Sequence, residues 1–170
     1  GFLMANNHVT AEGELYYPKL FPQNKEVSEY TTRTEGSYNT VFIPASDEEL
    51  NKFLDAGYPK EAMGHPMIKE YPVAGGRKGI KLKRPHVHPS GIEDFGGAPK
   101  VLDFTQGQGE KLWDFDVDGA LGNGTKAKVK ASIYVPEKGS KTKGSITRLE
   151  AVAVTEHVEY KERSESEMVW

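Results

Sequence analysis

Residues 122–135, GNGTKAKVKASIYV, restrict the fold more than any other stretch. Successive side chains of an extended chain point to opposite faces. Lys126, Lys128, Lys130, Ser132 and Tyr134 therefore share one side of a strand, and Ala127, Val129, Ala131, Ile133 and Val135 share the other. The second side is small and β-branched, as the tight interior of a small barrel demands. The first is a row of ammonium groups about 6.6 Å apart, at two residues of strand rise per step. Like charges in a row repel, so a strand with only a structural role gains from interspersed Glu. Two readings follow: an extended polyanion supplies the missing negative charge, or the lysines form a solvated face that discourages edge-to-edge aggregation.

Other segments carry the same alternation. SYNTVFIP, residues 37–44, is a strand ended by Pro44, and further strands are expected near 14–21, 78–84, 100–104 and 146–160. One helix is clear: Ser46 and Glu49 form a capping box, Asp47 and Glu48 suit the positive end of the helix dipole, and Leu50, Phe53 and Leu54 make an apolar stripe before Gly57. Pro59, Pro66 and Pro72 break residues 58–76 into a long surface excursion. Five or six strands with one short helix give an all-β barrel or sandwich, because nothing supplies the crossover helices that parallel strands require. At 170 residues the chain makes one domain, expected over 13–160. Residues 1–12 are read as a disordered N-terminus, with Gly1-Phe2-Leu3 an added sequence ahead of Met4, and 161–170 as a flexible acidic and aromatic tail.

Charge and composition narrow the function. A formal charge of −3 argues against a surface that is basic all over, but 77–84 (RKGIKLKR) and 126–130 (KAKVK) are basic islands while 156–167 is mostly acidic. There is no Cys, hence no disulfide, thiolate nucleophile or Cys-based zinc site, and no apolar run approaches a transmembrane length.

Three motifs imitate chemistry. DFDVDG, residues 114–119, matches the first half of an EF-hand loop, but Thr125 stands where the bidentate Glu belongs. GALGNGTK resembles a scrambled P-loop, with Thr125 before Lys126 and a strand, not a helix, to follow. His86 and His88, two apart in RPHVHP, would face the same way in a strand and share a metal with Asp94 or His65, although Pro85 and Pro89 favour an exposed loop. No catalytic constellation, metal or cofactor is assigned.

KGIKLKR repeats the lysine scheme, with Lys81 and Lys83 opposed to Ile80 and Leu82 and followed by Arg84. Aromatics accompany the basic residues: Tyr16 and Tyr17 before Lys19, Tyr38 on a strand, Trp113 beside Lys111, and Tyr134 closing the ladder. Cations that track phosphates and rings on which bases stack are the two ingredients of sequence-tolerant single-strand binding. These residues, with Lys126, Lys128 and Lys130, form the candidate nucleic-acid surface.

In ELYYPKLF, VFIPASDEEL, GNGTKAKVKASIYV and RLEAVAVTEHVEY the chain resembles the single-stranded DNA-binding proteins of tailed bacteriophages. The resemblance implies an OB-fold, a five-stranded antiparallel Greek-key barrel with one short helix and long loops. It implies a non-enzymatic protein that coats single-stranded DNA in phage replication, recombination and repair, in the cytoplasm of the infected bacterium, with a homodimer as a further expectation. It also implies a partner-binding tail, here Glu165, Glu167 and the terminal Trp170, that recruits a phage DNA polymerase, helicase-primase or recombination protein. Lys161 and Arg163 dilute that tail's charge. Two other readings stand beside it: a β-sandwich interaction or carbohydrate-binding module, and a metal-dependent hydrolase using His86, His88 and an Asp of 114–118.

Overall fold

The computed structural model describes residues 5–137 and 144–161. Along them run β1 (Ala5–Lys19), β2 (Ser37–Pro44), α1 (Asp47–Asp55), β3 (Glu61–Ala62), β4 (His65–Pro66), β5 (Lys69–Tyr71), β6 (Arg77–Pro85), β7 (Lys100–Asp103), the single turn α2 (Phe115–Asp118), β8 (Thr125–Val135) and β9 (Ile146–Glu156). A 7-stranded sheet takes the order β5-β6-β2-β1-β8-β9-β7, and β3-β4 is a separate hairpin.

The alternation in β8 is realised as read. Its lysines are exposed, while Ala127, Val129, Ala131 and Ile133 are buried with Leu15, Phe42, Ile80, Leu82, Leu149 and Val152 in the main core. Helix α1 closes one end of that core through Leu50 and Phe53, the Phe53 ring lying 5.8 Å from that of Phe42. Each such buried ring contributes on the order of 2–3 kcal/mol. Only half of the expected capping box forms. Ser46 Oγ accepts the Glu49 amide, but the Glu49 carboxylate accepts the Glu12 amide at 2.8 Å and so staples α1 to β1.

Four expectations are corrected. The sheet has more strands than the five expected and is open, with β5 and β7 at its two ends. It is not wholly antiparallel either, since β7 runs parallel to β9. No crossover helix is needed there, because β8 intervenes in the sequence and turns the chain back. Residues 5–12, expected to be disordered, are strand: β1 pairs with β8 from Ala5↔Val135 to Leu15↔Thr125. Polar Asn6, Asn7 and His8 hide the period there, yet Val9 and Ala11 are buried and Asn7 Nδ2 donates to Ala56 O at 2.8 Å. Finally, the 58–76 excursion contains β3, β4 and β5, of which β5 lengthens the sheet. Its Tyr71 and Ala74 pack on Tyr16, Val41 and Ile43, so part of the outer face is covered as well.

The sheet curls until β6 approaches β9 without pairing to it. Arg84 of β6 meets Glu150 of β9 at 3.2 Å across this seam. Strand β9 bulges at Glu150, where the register skips from Lys130↔Ala151 to Ala131↔Leu149. A bulge re-aims a side chain, and here it accompanies the carboxylate that reaches the seam.

Candidate nucleic-acid interface

The open seam is a groove of ≈480 Å³. Lys81, Lys83 and Arg84 of β6 line it on one side, Thr147 and Arg148 of β9 on another, and Tyr30 and Thr34 of the segment between β1 and β2 on a third. The wall at Tyr30 is a 3-10 segment, Glu29–Thr34, fixed at its start by reciprocal bonds: Ser28 Oγ accepts the Tyr30 amide at 3.2 Å, and Thr31 Oγ1 accepts the Ser28 amide at 2.9 Å. A fixed backbone thus presents Tyr30, a residue that is 88% exposed.

The two arginines are held, not free. Arg84 donates to the carbonyls of Gly97, Asp94 and Gly96 and to Glu150 Oε2, which clamps the 94–97 loop against the seam between β6 and β9. Arg148 lies 3.9 Å from the centroid of the Phe95 ring and 5.5 Å from that of Tyr134, with Glu150 Oε1 at 3.7 Å. They make the floor of the groove positive, while Lys81 and Lys83 are exposed and make no ion pair among the described residues.

The residues singled out from the sequence fall into three groups. Lys81, Lys83 and Lys19 come together, because Lys19↔Asn39 and Asn39↔Lys83 are register partners across β1, β2 and β6, and Asn39 borders the groove. Lys19 also sits 3.9 Å from Glu26. Tyr17, 56% exposed, lies two residues before Lys19 in the same strand.

Tyr16, Tyr38, Trp113 and Arg84 form the second group and are buried. The Tyr38 hydroxyl bonds His86 Nδ1 at 2.8 Å, and the Trp113 indole N–H donates to Gly119 O at 2.9 Å. Tyr16 donates to Glu14 Oε1, and burial raises the pKa of its phenol. Such rings offer no open face for stacking, and their alternation in sequence is equally that of a core. Tyr134 is half-buried beneath Arg148 and Phe95.

The ladder on β8 is the third group. Lys126, Lys128 and Lys130 do face outward, but β1 and β9 bring carboxylates alongside: Lys126 lies 3.4 Å from Glu156 and Lys128 3.6 Å from Glu12. Glu14, opposite Lys126 in register, is bidentate to Arg77, whose hydrogen bonds hold its carboxyl below the usual range. The interspersed Glu missing within β8 is supplied by its neighbours. Glu165, Glu167 and Trp170 of the tail lie outside the described residues.

The imitation motifs resolve locally. Asp114 caps α2 by accepting the Asp116 and Val117 amides, and Asp118 accepts the Asp114 amide, so these carboxylates serve their own turn. His86 is bonded to Tyr38 and His88 Nδ1 to Ser90 Oγ at 2.6 Å. Among the described residues no three His, Asp or Glu converge as metal ligands, and no helix is long and apolar enough to cross a membrane. Sequence reasoning missed Tyr30 and Arg148. A lone Tyr in the polar run SEYTTRT was the available signal for the first, and the Arg interrupting ITRLEAVAV for the second.

No family model matches this sequence, and no curated protein matches it. Solved structures do match its fold. The single-stranded DNA-binding protein from bacteriophage Enc34 aligns at TM-score 0.55 and 15% identity, over 93% of this chain and 86% of that one. A C-terminal truncation of that protein aligns at TM-score 0.52 and 13% identity, over 91% of this chain and 88% of the other. The same protein in complex with ssDNA aligns at TM-score 0.52 and 14% identity, over 91% and 89%. Over about nine-tenths of its length, this chain is therefore similar in fold to a phage single-stranded DNA-binding protein with which it shares little sequence.

Proposed function

We propose that this protein binds single-stranded DNA along the β6–β9 seam, without choice of sequence. The observation that carries the reading is the groove itself: Lys81 and Lys83, without an ion pair among the described residues, beside an exposed, backbone-fixed Tyr30, over a floor of two arginines. Lysines follow a phosphate backbone and an exposed ring stacks on any base, and neither contact reads base identity. The shared fold with a protein solved in complex with ssDNA supports the same reading. The barrel is then an open, OB-like elaboration whose unclosed edge serves the ligand, acting by coating and not by catalysis. Coating of this kind serves phage replication, recombination and repair in the host cytoplasm, with the tail residues Glu165, Glu167 and Trp170 as the point of contact for other replication proteins.

Fluorescence anisotropy of labelled oligonucleotides tests the reading. Poly-pyrimidine and mixed single strands are expected to bind within about an order of magnitude of each other, duplex much more weakly, and all with a marked salt dependence. Equal affinity for duplex, or indifference to single strands, overturns it.

A further inference from the structure

We infer that Asn123 is a positioning residue that holds Tyr17 as a second stacking platform, continuing the seam groove across β1. The inference rests on the proposed single-strand binding and deepens it. Strand β1 bulges between Tyr16, paired with Val41, and Lys19, paired with Asn39. Within the bulge Tyr17 takes φ 52, the left-handed region that a residue with a Cβ rarely adopts. A bulky aromatic there is strained, and such strain persists only where the surroundings enforce it.

The enforcing group is the Gly-Asn-Gly turn. The Tyr17 amide donates to Asn123 Oδ1 at 2.7 Å. The turn is itself anchored twice: Gly124 N–H donates to Leu15 O at 2.9 Å, and Gly122 N–H to Val158 O at 2.7 Å. Each residue of the turn has its reason. A Cβ on Gly122 would sit 2.6 Å from Glu159 O, Gly124 has φ +90, and Asn123 supplies the acceptor. Held this way, Tyr17 is 56% exposed although its strand is central in the sheet.

Register brings Tyr17 near the groove. Tyr17 precedes Lys19, which lies in register with Asn39 and Lys83, so it is two strands from β6, about 10 Å at the usual strand spacing. A short oligonucleotide leaving Lys83 and crossing Lys19 meets this ring next.

The test is a double-mutant cycle on the full chain, read by anisotropy with labelled oligo-dT. Tyr17→Gly removes the ring and relieves the left-handed strain together, so in that background Asn123 has nothing to hold. Tyr17→Gly is expected to weaken binding about tenfold, the loss of one stacked base. Asn123→Ala is expected to weaken it severalfold in the wild-type background and not at all in Tyr17→Gly, with the salt slope unchanged throughout because no phosphate contact is lost. Wild-type affinity in Tyr17→Gly overturns the inference while leaving the proposed function intact. So does an Asn123→Ala loss that is equal in both backgrounds, or one that comes with a lower salt slope. Absence of binding by the wild-type chain overturns both. Should Asn123→Ala fail to fold, the Tyr17→Gly arm still decides whether the ring is used.

Discussion

Strands β6 and β8 carry the same pattern, lysines on one side and aliphatics on the other, and the sheet gives the two rows opposite circumstances. Strand β8 is flanked along its length by β1 and β9, which place Glu12 and Glu156 within 4 Å of its lysines. Strand β6 is paired along residues 80–85 with β2 alone, β5 reaching only Arg77 to Gly79, so Lys81 and Lys83 border open space. A charge row is available to a ligand only where the sheet leaves it an unpartnered flank. The strand with the more regular lysine row is the better neutralised of the two.

The largest expected effect tests whether the groove floor is structural. Arg84→Met removes the donor to three loop carbonyls and leaves Glu150 facing Arg148 alone. Breaking a buried pair in this way should cost about 3 kcal/mol, measured by denaturant unfolding. Unchanged stability would return Arg84 to the ligand surface. Next, Lys81→Gln with Lys83→Gln should lower the slope of log K against log salt by about 1.4, at roughly 0.7 per phosphate contact. The triple change of Lys126, Lys128 and Lys130 to Gln should lower it by less than about 0.7. The reverse ranking breaks the contrast between the two strands.

A smaller effect concerns the pairing beside the ladder. Arg77 holds the Glu14 carboxyl below its ordinary pKa. Its stabilisation is therefore complete above the unfolded value of about 4.3 and is lost as pH falls through the lower folded value. Glu14→Gln should cost under about 1 kcal/mol at neutral pH and nothing at strongly acid pH, since Arg77 is half-exposed and screened. A difference that grows on acidification contradicts this assignment. Least is expected from deleting 161–170, which removes Glu162, Glu165 and Glu167 but also Lys161 and Arg163, a net change of one charge. Bulk electrostatics then predicts DNA affinity within about twofold at moderate salt. Tighter binding at low salt would show a tail that competes for the groove.

What the sequence made legible was whatever depends on local period. The two faces of β8, the bounds of α1 and the end of β2 at Pro44 follow from alternation, a cap and a proline, all short-range signals. What it hid depends on which strands become neighbours. Nothing near Lys128 announces Glu12, and nothing near Val101 announces its parallel partner Val152. The aromatics were ambiguous for the same reason. Tyr38 and Tyr17 read alike along the chain, and only the packing of β2 and the bulge of β1 bury the first and expose the second.

The pairing of β1 with β8 also sets an order of events. Ala5 cannot meet Val135 until the intervening chain has closed on itself, and the entropy of that closure must be met before any ladder bond forms. Topologies dominated by such distant pairings fold in milliseconds to seconds, far more slowly than helical bundles. On a ribosome adding about 5–20 residues each second, β1 therefore waits several seconds for the strand that completes it. During that interval β1 and β2 can already zip together, leaving the flank of β1 that β8 will occupy as a temporary template for unwanted strands. The charges on that flank, Glu12 and Glu14, then guard a growing chain against its own copies before they ever face a lysine.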